Sequence, residues 1–190
     1  LLNDWTSACP RLKAWGYDVE PGLNAKTCAE VRRFLADWLK RMDALYMAVS
    51  LPPDFAFPED SARGTLLREC VLPASREHGV PFALMIGVKR GVNPALRVAG
   101  DGVAQADLTA VQNLCAGYPD NRFMVTALSR ENQHELCVMA RKFSNLFLFG
   151  CWWFLNNPSL IDEMTRMRLE LLGLSVAPQL GGRVIEVAVA

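Results

Sequence analysis

The chain has 190 residues, of which 51% are hydrophobic and 21% are charged, and its 20 basic side chains balance 20 acidic ones. This composition is typical of an ordinary globular protein with a sizeable core, and the zero net charge gives no electrostatic reason to bind nucleic acid or an anionic membrane. The longest apolar stretches are too short to span a bilayer, and the first residues lack the pattern of a signal peptide, which favours a cytoplasmic protein.

Helices and strands are predicted to alternate from about residue 25 onward, after an irregular segment over residues 1–26. The first helix follows Thr27, because apolar residues recur there with helical spacing. Five apolar runs predict strands, at residues 46–51, 81–88, 122–128, 145–151 and 174–178. Further helices are predicted over residues 61–78, with an interruption at Pro73, and around residues 108–115, 136–143 and 159–171.

Single helices between the strands imply a parallel sheet with right-handed crossovers. Such a sheet is either open and doubly wound or an arc of a (β/α)8 barrel. Neither Gly-x-Gly-x-x-Gly nor a phosphate-binding P-loop follows any strand, which removes the usual nucleotide-binding reasons for an open sheet. A complete barrel takes about 250 residues. We therefore predict an α/β fold in which residues 1–190 form a single domain, a partial (β/α)8 TIM-barrel of about five parallel strands alternating with helices.

Aromatic and basic residues follow the ends of the later predicted strands, at the edge where parallel sheets bind ligands. Trp152 and Trp153 follow the fourth strand, Arg130 the third and Arg183 the fifth. Successive strand side chains point to opposite faces, so the two indoles cannot fill one layer. Indole faces suit the C–H surface of a sugar, and arginine grips carboxylates. We expect a polyhydroxylated acid as ligand; the alternatives are indoles in the core and charged side chains in solvated loops.

Histidines and cysteines give little support for a metal centre built from this chain. The two histidines, His78 and His134, fall on predicted helices and belong to no His-x-His or His-Glu-x-x-His motif. The six cysteines lie far apart without a Cys-x-x-Cys pair, as expected for reduced thiols. We predict no metal ligand in this chain. Asp54, Glu131 and His134 are candidates for acid–base chemistry, but no catalytic residue is assigned.

Three stretches of the chain resemble the uronate isomerase (glucuronate isomerase) family, which belongs to the amidohydrolase superfamily of (β/α)8 barrels. They are Leu128-Ser-Arg-Glu-Asn-Gln-His-Glu135, Ala140-Arg-Lys-Phe143 and Phe149-Gly-Cys-Trp-Trp-Phe-Leu-Asn-Asn-Pro158. The best-matching part runs from about residue 121 to residue 173, and Gly-x-Trp-Trp-Phe is its most specific element.

The resemblance implies reversible conversion of D-glucuronate to D-fructuronate, and of galacturonate to tagaturonate, by proton transfer between C1 and C2. It also implies that Trp152 and Trp153 line the sugar site and that Arg183 stands where the family has a carboxylate-binding arginine. With Arg130, these are the predicted substrate-binding residues. The expected partner is a small-molecule hexuronate, without nucleic acid or membrane, and a homo-oligomer is left open.

The chain departs from the family pattern in three places. The His-x-His near the family's N-terminus has no match, and Ser50-Leu-Pro-Pro53 stands in the place of a histidine that ends a middle strand. The acidic residue of the family's Asp-x-Arg is missing, because the comparable place reads Gly181-Gly182-Arg183. We therefore interpret the chain as a C-terminal-half fragment of a divergent member, inactive by itself. A divalent metal such as Zn²⁺ would belong to the full-length family protein.

Two other functions stay open at this stage. The Trp pair and the arginines would also serve a non-catalytic sugar-acid binding protein that needs no metal. A hydrolase of the same superfamily with a diverged site is the third reading. An isolated partial barrel would, in addition, expose strand edges and tend to aggregate.

Overall fold

The fold is described by a computed structural model that covers residues 1–173. Its helices are α1 (Trp5–Ala14), α2 (Ala25–Met42), α3 (Ala62–Leu66), α4 (Leu72–Glu77), α5 (Thr109–Gly117), α6 (Gln133–Ala140) and α7 (Pro158–Leu172). Its strands are β1 (Met47–Leu51), β2 (Phe82–Ile86), β3 (Val88–Lys89), β4 (Gly102–Val103), β5 (Phe123–Ala127) and β6 (Leu146–Leu148). No helix within the described range is both long enough and apolar enough to cross a bilayer.

The four longer strands form a parallel sheet in the order β1-β2-β5-β6. Spatial order thus follows chain order, whereas a doubly wound sheet reverses its order at a switch point. An arc of a (β/α)8 barrel has this uninterrupted order. The predicted α/β arc of parallel strands alternating with helices is confirmed, and residues 1–173 do not close a barrel. The predicted fifth strand, 174–178, lies outside the described residues.

The two faces of the sheet are covered differently. One face carries apolar side chains that are fully buried in a core shared with the helices, among them Leu84, Phe123 and Val125. On the opposite face, Ser50 of β1 and Met85 of β2 lie side by side and are only half-buried. Strands from the far side of a closed barrel would cover this inner face.

The loop between β2 and α5 contains the short antiparallel pair β3–β4 and a 3-10 turn over Pro94–Gly100. The Arg90 guanidinium donates to the Asp101 carboxylate across the base of this loop. The loop therefore has local structure of its own, which two-residue strands are too short to reveal in a sequence.

Helix α1 lies within residues 1–26, the segment predicted to be irregular. The Asp4 carboxylate accepts a hydrogen bond from the Ser7 N–H at 3.0 Å and so caps the helix. The helix continues through Pro10, a residue that usually interrupts one, and this obscured the helical pattern. Its buried face consists of Trp5, Cys9 and Leu12.

The predicted helix over residues 61–78 is interrupted, as Pro73 indicated. It divides into α3 and α4, which are joined by a π-helical turn over Leu67–Val71. Pro73 lies in the first turn of α4, where its missing N–H and its ring are tolerated. The π-helical turn before Pro73 keeps right-handed helical backbone angles at both ends, so α3 and α4 follow each other without a loop.

Candidate functional site

The carboxyl ends of the four parallel strands meet at one edge of the sheet, as predicted. Backbone bonds join the residues just beyond the strands: Gly87 N–H donates to Leu51 O at 3.1 Å, and Leu128 N–H donates to Ile86 O at 2.8 Å. Two turns at this edge carry three of the four predicted substrate-binding residues, Arg130, Trp152 and Trp153. We call residues 128–133, after β5, the amide turn, and residues 149–155, after β6, the aromatic turn.

Gly150 opens the aromatic turn in a left-handed conformation, with φ of +66°. A Cβ atom at this position would lie only 1.9 Å from Nε1 of Trp152, so the indole folds back onto the glycine backbone. The Trp152 ring also meets Phe149 edge-on, with ring centroids 6.0 Å apart and an interplanar angle of 73°. Residue 150 must therefore be glycine for Trp152 to keep this place.

Trp153 has the second unusual backbone conformation of the turn, with φ of +52°. A non-glycine residue in this region costs roughly 1–2 kcal/mol. The Trp153 ring stacks on Phe154 at 5.0 Å with an interplanar angle of 8°, yet it remains 49% exposed. Leu155 is buried and anchors the far end of the turn. The turn thus presents a flat aromatic face to the outside, and the left-handed conformation of Trp153 costs free energy.

The two indoles point to different places, but not for the reason that the sequence indicated. The predicted strand 145–151 is shorter in the structure, where β6 ends at Leu148. The strand pleat therefore does not reach the tryptophans. The positive φ angles of Gly150 and Trp153 direct the two rings to different places. The sequence pattern does not predict either angle.

Arg130 lies at the same edge, in the amide turn, with its guanidinium already engaged. Its Nε donates to Glu163 Oε2 at 2.9 Å, and its Nη2 lies 2.8 Å from Glu163 Oε1. The hydrogen bond and charge of Glu163, a residue of α7, raise the pKa of Arg130. Arg130 is 58% exposed, so an incoming carboxylate can reach it but must compete with Glu163.

Buried amides hold the amide turn together. Asn132 exchanges two hydrogen bonds of 2.9 Å with the backbone N–H and C=O of Ala106. Gln133 Nε2 donates to Ala127 O at 2.7 Å and to Ser129 O at 2.9 Å. Asn132, one of the polar residues after the predicted third strand, is therefore buried as a brace between two loops and does not face a ligand.

Glu131 is hydrogen-bonded within the same turn. The Ser129 hydroxyl donates to its carboxylate and accepts from the Glu131 N–H. This hydroxyl is the main reason that the pKa of Glu131 lies below its usual value of 4.5. A carboxyl that stays ionised is a poor proton donor near neutral pH. His134 and Asp54, the other acid–base candidates, are exposed.

The described residues do not provide a donor set for a metal. Nowhere in residues 1–173 do three His, Cys, Asp or Glu side chains lie together as metal ligands would. This part of the chain therefore does not fit a zinc site, which takes at least three such ligands from the protein. Arg183, the other predicted carboxylate-binding residue, lies outside the described residues.

Arg168 contacts the aromatic turn and was missed in the sequence. It lies on α7, and its Nη2 donates to Gly150 O at 3.1 Å. Its spacing from Ile161 and Met164, seven and four residues, places it on the apolar stripe of that helix, a signal that the sequence analysis passed over because an arginine is usually exposed. The fold shows which group this side chain contacts.

Of the three comparisons with known proteins, the search of solved structures agrees with the motifs. A scan against models of protein families gave no match, and a search of the curated proteins gave none either. The chain matches the crystal structure of a uronate isomerase from Bacillus halodurans C-125 with a TM-score of 0.88 and 58% identity, over 91% of this chain and 41% of that one. It matches a uronate isomerase from Thermotoga maritima with a TM-score of 0.75 over 90% of this chain and 45% of that one.

At 11% identity, the Thermotoga maritima match shows a shared fold alone. The chain spans less than half the length of either protein, at 41% and 45%. Its structural neighbours are thus uronate isomerases, and the matched lengths are consistent with a fragment of a uronate isomerase, as the three sequence stretches indicated.

Proposed function

We propose that this chain supplies part of the sugar site of an isomerase that interconverts D-glucuronate and D-fructuronate. The observation that carries the proposal is the 58% identity to the Bacillus halodurans protein over 91% of the chain. The aromatic turn supports it independently, because it presents a rigid aromatic face at the ligand-binding edge of a parallel sheet.

The proposed sugar contacts are made by the Trp pair. Trp153 stacks on Phe154 and offers its 49% exposed face to the C–H surface of the uronate. Trp152 is half-buried against Gly150 and supports the turn from behind. Aromatic faces of this kind bind apolar surfaces with little loss of conformational entropy, because the rings are already packed.

The proposed carboxylate contacts are made by Arg130 and Arg183. Arg130 is accessible at the sheet edge and exchanges Glu163 for the uronate carboxylate, which has the same charge and the same two oxygens. Because this exchange conserves the bidentate geometry, its energetic cost is small. Arg183 joins this pair only through the family resemblance.

The proposed reaction is a redox-neutral shift within one molecule. A proton leaves C2 and another is added at C1, while the C2 hydroxyl becomes a carbonyl and the C1 carbonyl becomes a hydroxyl. Each transfer needs a group whose pKa lies near the operating pH. We assign these groups, and any divalent metal, to the full-length protein. The proposed partner remains a hexuronate in the cytoplasm, without nucleic acid or membrane.

Calorimetric titration with D-glucuronate tests the proposed sugar contacts, with and without Zn²⁺. The chain is compared with a Trp152→Ala, Trp153→Ala double variant. The matched control is Trp15→Ala, because Trp15 is 59% exposed but packs against Phe34 and Trp38 of α2. We expect binding that the double variant loses and the control keeps. Equal binding by all three proteins would contradict the proposal, whereas no binding by the parent chain would mean that the site needs the rest of the full-length protein, in which the same variants are then compared.

Turnover assays on the full-length protein separate the isomerase from the other two functions. Conversion of the uronate to its ketose supports the isomerase. Cleavage of an ester or an amide, without isomerisation, would point to the hydrolase instead. Uronate binding without turnover would point to the non-catalytic sugar-acid binding protein.

A further inference from the structure

Arg168 occupies an unusual position for an arginine on an outer helix. Its neighbours on α7 form ion pairs in the ordinary way: Arg166 pairs with Asp162 at 2.9 Å, and Glu163 pairs with Arg130. Arg168, in contrast, donates to a backbone carbonyl 18 residues earlier, at Gly150. Its Nε is buried and has no hydrogen-bond partner among residues 1–173. Such a buried donor requires an explanation, because burying it is costly.

The carbonyl that accepts this hydrogen bond indicates why an arginine stands at position 168. Gly150 O belongs to the glycine whose left-handed backbone lets Trp152 fold back, and the strained residue Trp153 follows three positions later. A hydrogen bond from a charged donor is in general stronger than a neutral one. The Arg168 contact therefore fixes the direction of the Gly150 peptide and opposes relaxation of the turn.

The guanidinium also lies close to α6, which packs against α7. Burial raises the pKa of the Cys137 thiol on α6, and the positive charge of Arg168 opposes this rise. Arg168 is thus situated where α6, α7 and the aromatic turn meet. The hydrogen bond from Arg168 links α7 to the turn that carries the indoles.

We propose that Arg168 is a positioning residue, which holds the Gly150 carbonyl and thereby sets the places of the Trp152 and Trp153 rings. It does not touch the ligand and acts through the turn. The consequence for hexuronate affinity rests on the proposed function, whereas the consequence for the indoles does not. The two are therefore measured separately.

The indoles are followed by fluorine NMR of the chain labelled with 5-fluorotryptophan, which reports on its five tryptophans. Resonances are assigned with Trp152→Phe and Trp153→Phe variants. In Arg168→Gln we expect the Trp152 and Trp153 resonances to shift or broaden, while that of the buried Trp5 stays in place and shows that the fold is intact. Arg166→Gln, the matched control two residues away, leaves all five unchanged.

Arg168→Lys keeps the charge and one donor, so it restores part of the parent spectrum. If Arg168→Gln leaves both indole resonances at their parent positions, the positioning role is overturned. Equal disturbance by Arg166→Gln, or a moved Trp5 resonance with no rescue by lysine, overturns it as well, since both indicate a general loss of structure.

D-glucuronate affinity gives the second readout. We expect about tenfold weaker binding by Arg168→Gln, an intermediate value for Arg168→Lys and no change for Arg166→Gln. Failure of the parent chain to bind D-glucuronate would concern the completeness of the sugar site, while the NMR result alone would still decide the role of Arg168. Unchanged affinity in Arg168→Gln, with displaced indoles, overturns the link between the turn and the ligand.

Discussion

The amide turn and the aromatic turn lie side by side at one edge of the sheet but are stabilised in different ways. The amide turn is held by buried side chains that satisfy backbone groups, with Asn132 bonded to Ala106 and Gln133 to Ala127. The aromatic turn uses a left-handed glycine, a strained Trp153 and one arginine from a later helix. Polar satisfaction gives the first turn a single conformation, whereas the second accepts strain and exposes an aromatic face.

The difference shows that two neighbouring turns at one sheet edge can be stabilised for different roles. The buried amides of the amide turn bond backbone groups, and its contribution to a ligand site is the exposed guanidinium of Arg130. A turn that stores strain keeps rings accessible, and it needs support from outside to do so. The following predictions separate these two kinds of support, beginning with the largest effect.

Asn132→Ala is expected to be the most destabilising change. It leaves the N–H and C=O of Ala106 buried without a partner, each at a cost of roughly 1–3 kcal/mol. We expect the free energy of unfolding, measured in urea, to fall by about 2–5 kcal/mol. Asn156→Ala, an exposed control just beyond the aromatic turn, changes it by less than about 0.5 kcal/mol. Equal effects of the two variants would show that the amide brace is not needed.

Gly150→Ala is expected to have the next largest effect. The left-handed backbone costs alanine roughly 1–2 kcal/mol, and the new methyl group also displaces the Trp152 indole. We expect a lower melting temperature together with a changed near-ultraviolet circular dichroism spectrum. Gly117→Ala is the control, because a Cβ atom there meets nothing within 4 Å. If both variants melted alike, the close approach of Trp152 to Gly150 would be refuted.

Ser129→Ala has a smaller effect, on a single carboxyl. The Ser129 hydroxyl holds the pKa of Glu131 below 4.5, so we expect it to rise in the variant. Because the folded-state pKa is lowered, this hydrogen bond adds stability above the unfolded value, and the contribution is lost as pH falls through the folded value. The carboxyl carbon chemical shifts in NMR follow the titration of Glu131 and that of Asp107. The lowered pKa of Asp107, which Thr109 maintains, should not move.

Alkylation of the cysteines compares the accessibility of the aromatic turn with that of the core. Burial raises the pKa of the Cys115 thiol to about 12, so little thiolate is present at pH 8. Cys151 lies half-buried in the aromatic turn. We expect iodoacetamide to modify Cys151 well before Cys115, as followed by mass spectrometry of the intact and digested chain. Simultaneous modification would mean that the core opens as readily as the turn.

Patterns of apolar residues were sufficient to predict the sheet and to bring Trp152 and Trp153 to its edge, because burial and strand direction follow from local sequence. The details of the site were not predictable in this way. The pairing of Arg130 with Glu163 and the contact of Arg168 with Gly150 join residues far apart in the chain. Nothing in local composition encodes such distances.

Backbone angles were the second feature that the sequence could not predict. Positive φ at Trp153 is imposed by packing at both ends of its turn, and the residue type alone argues against it. Helix α1 was hidden for a related reason, because Pro10 is tolerated inside it only in its packed setting. In each case tertiary contacts overrode local preference.

The agreement between strand order and chain order has a consequence for how the molecule forms. Each strand of the main sheet adds beside the strand that the ribosome has already released, since the order is β1-β2-β5-β6. Every pairing within residues 1–173 of this sheet therefore joins a new strand to the one made just before it. The sheet grows in one direction during translation, and its most recent edge is always the one that carries the newest turn.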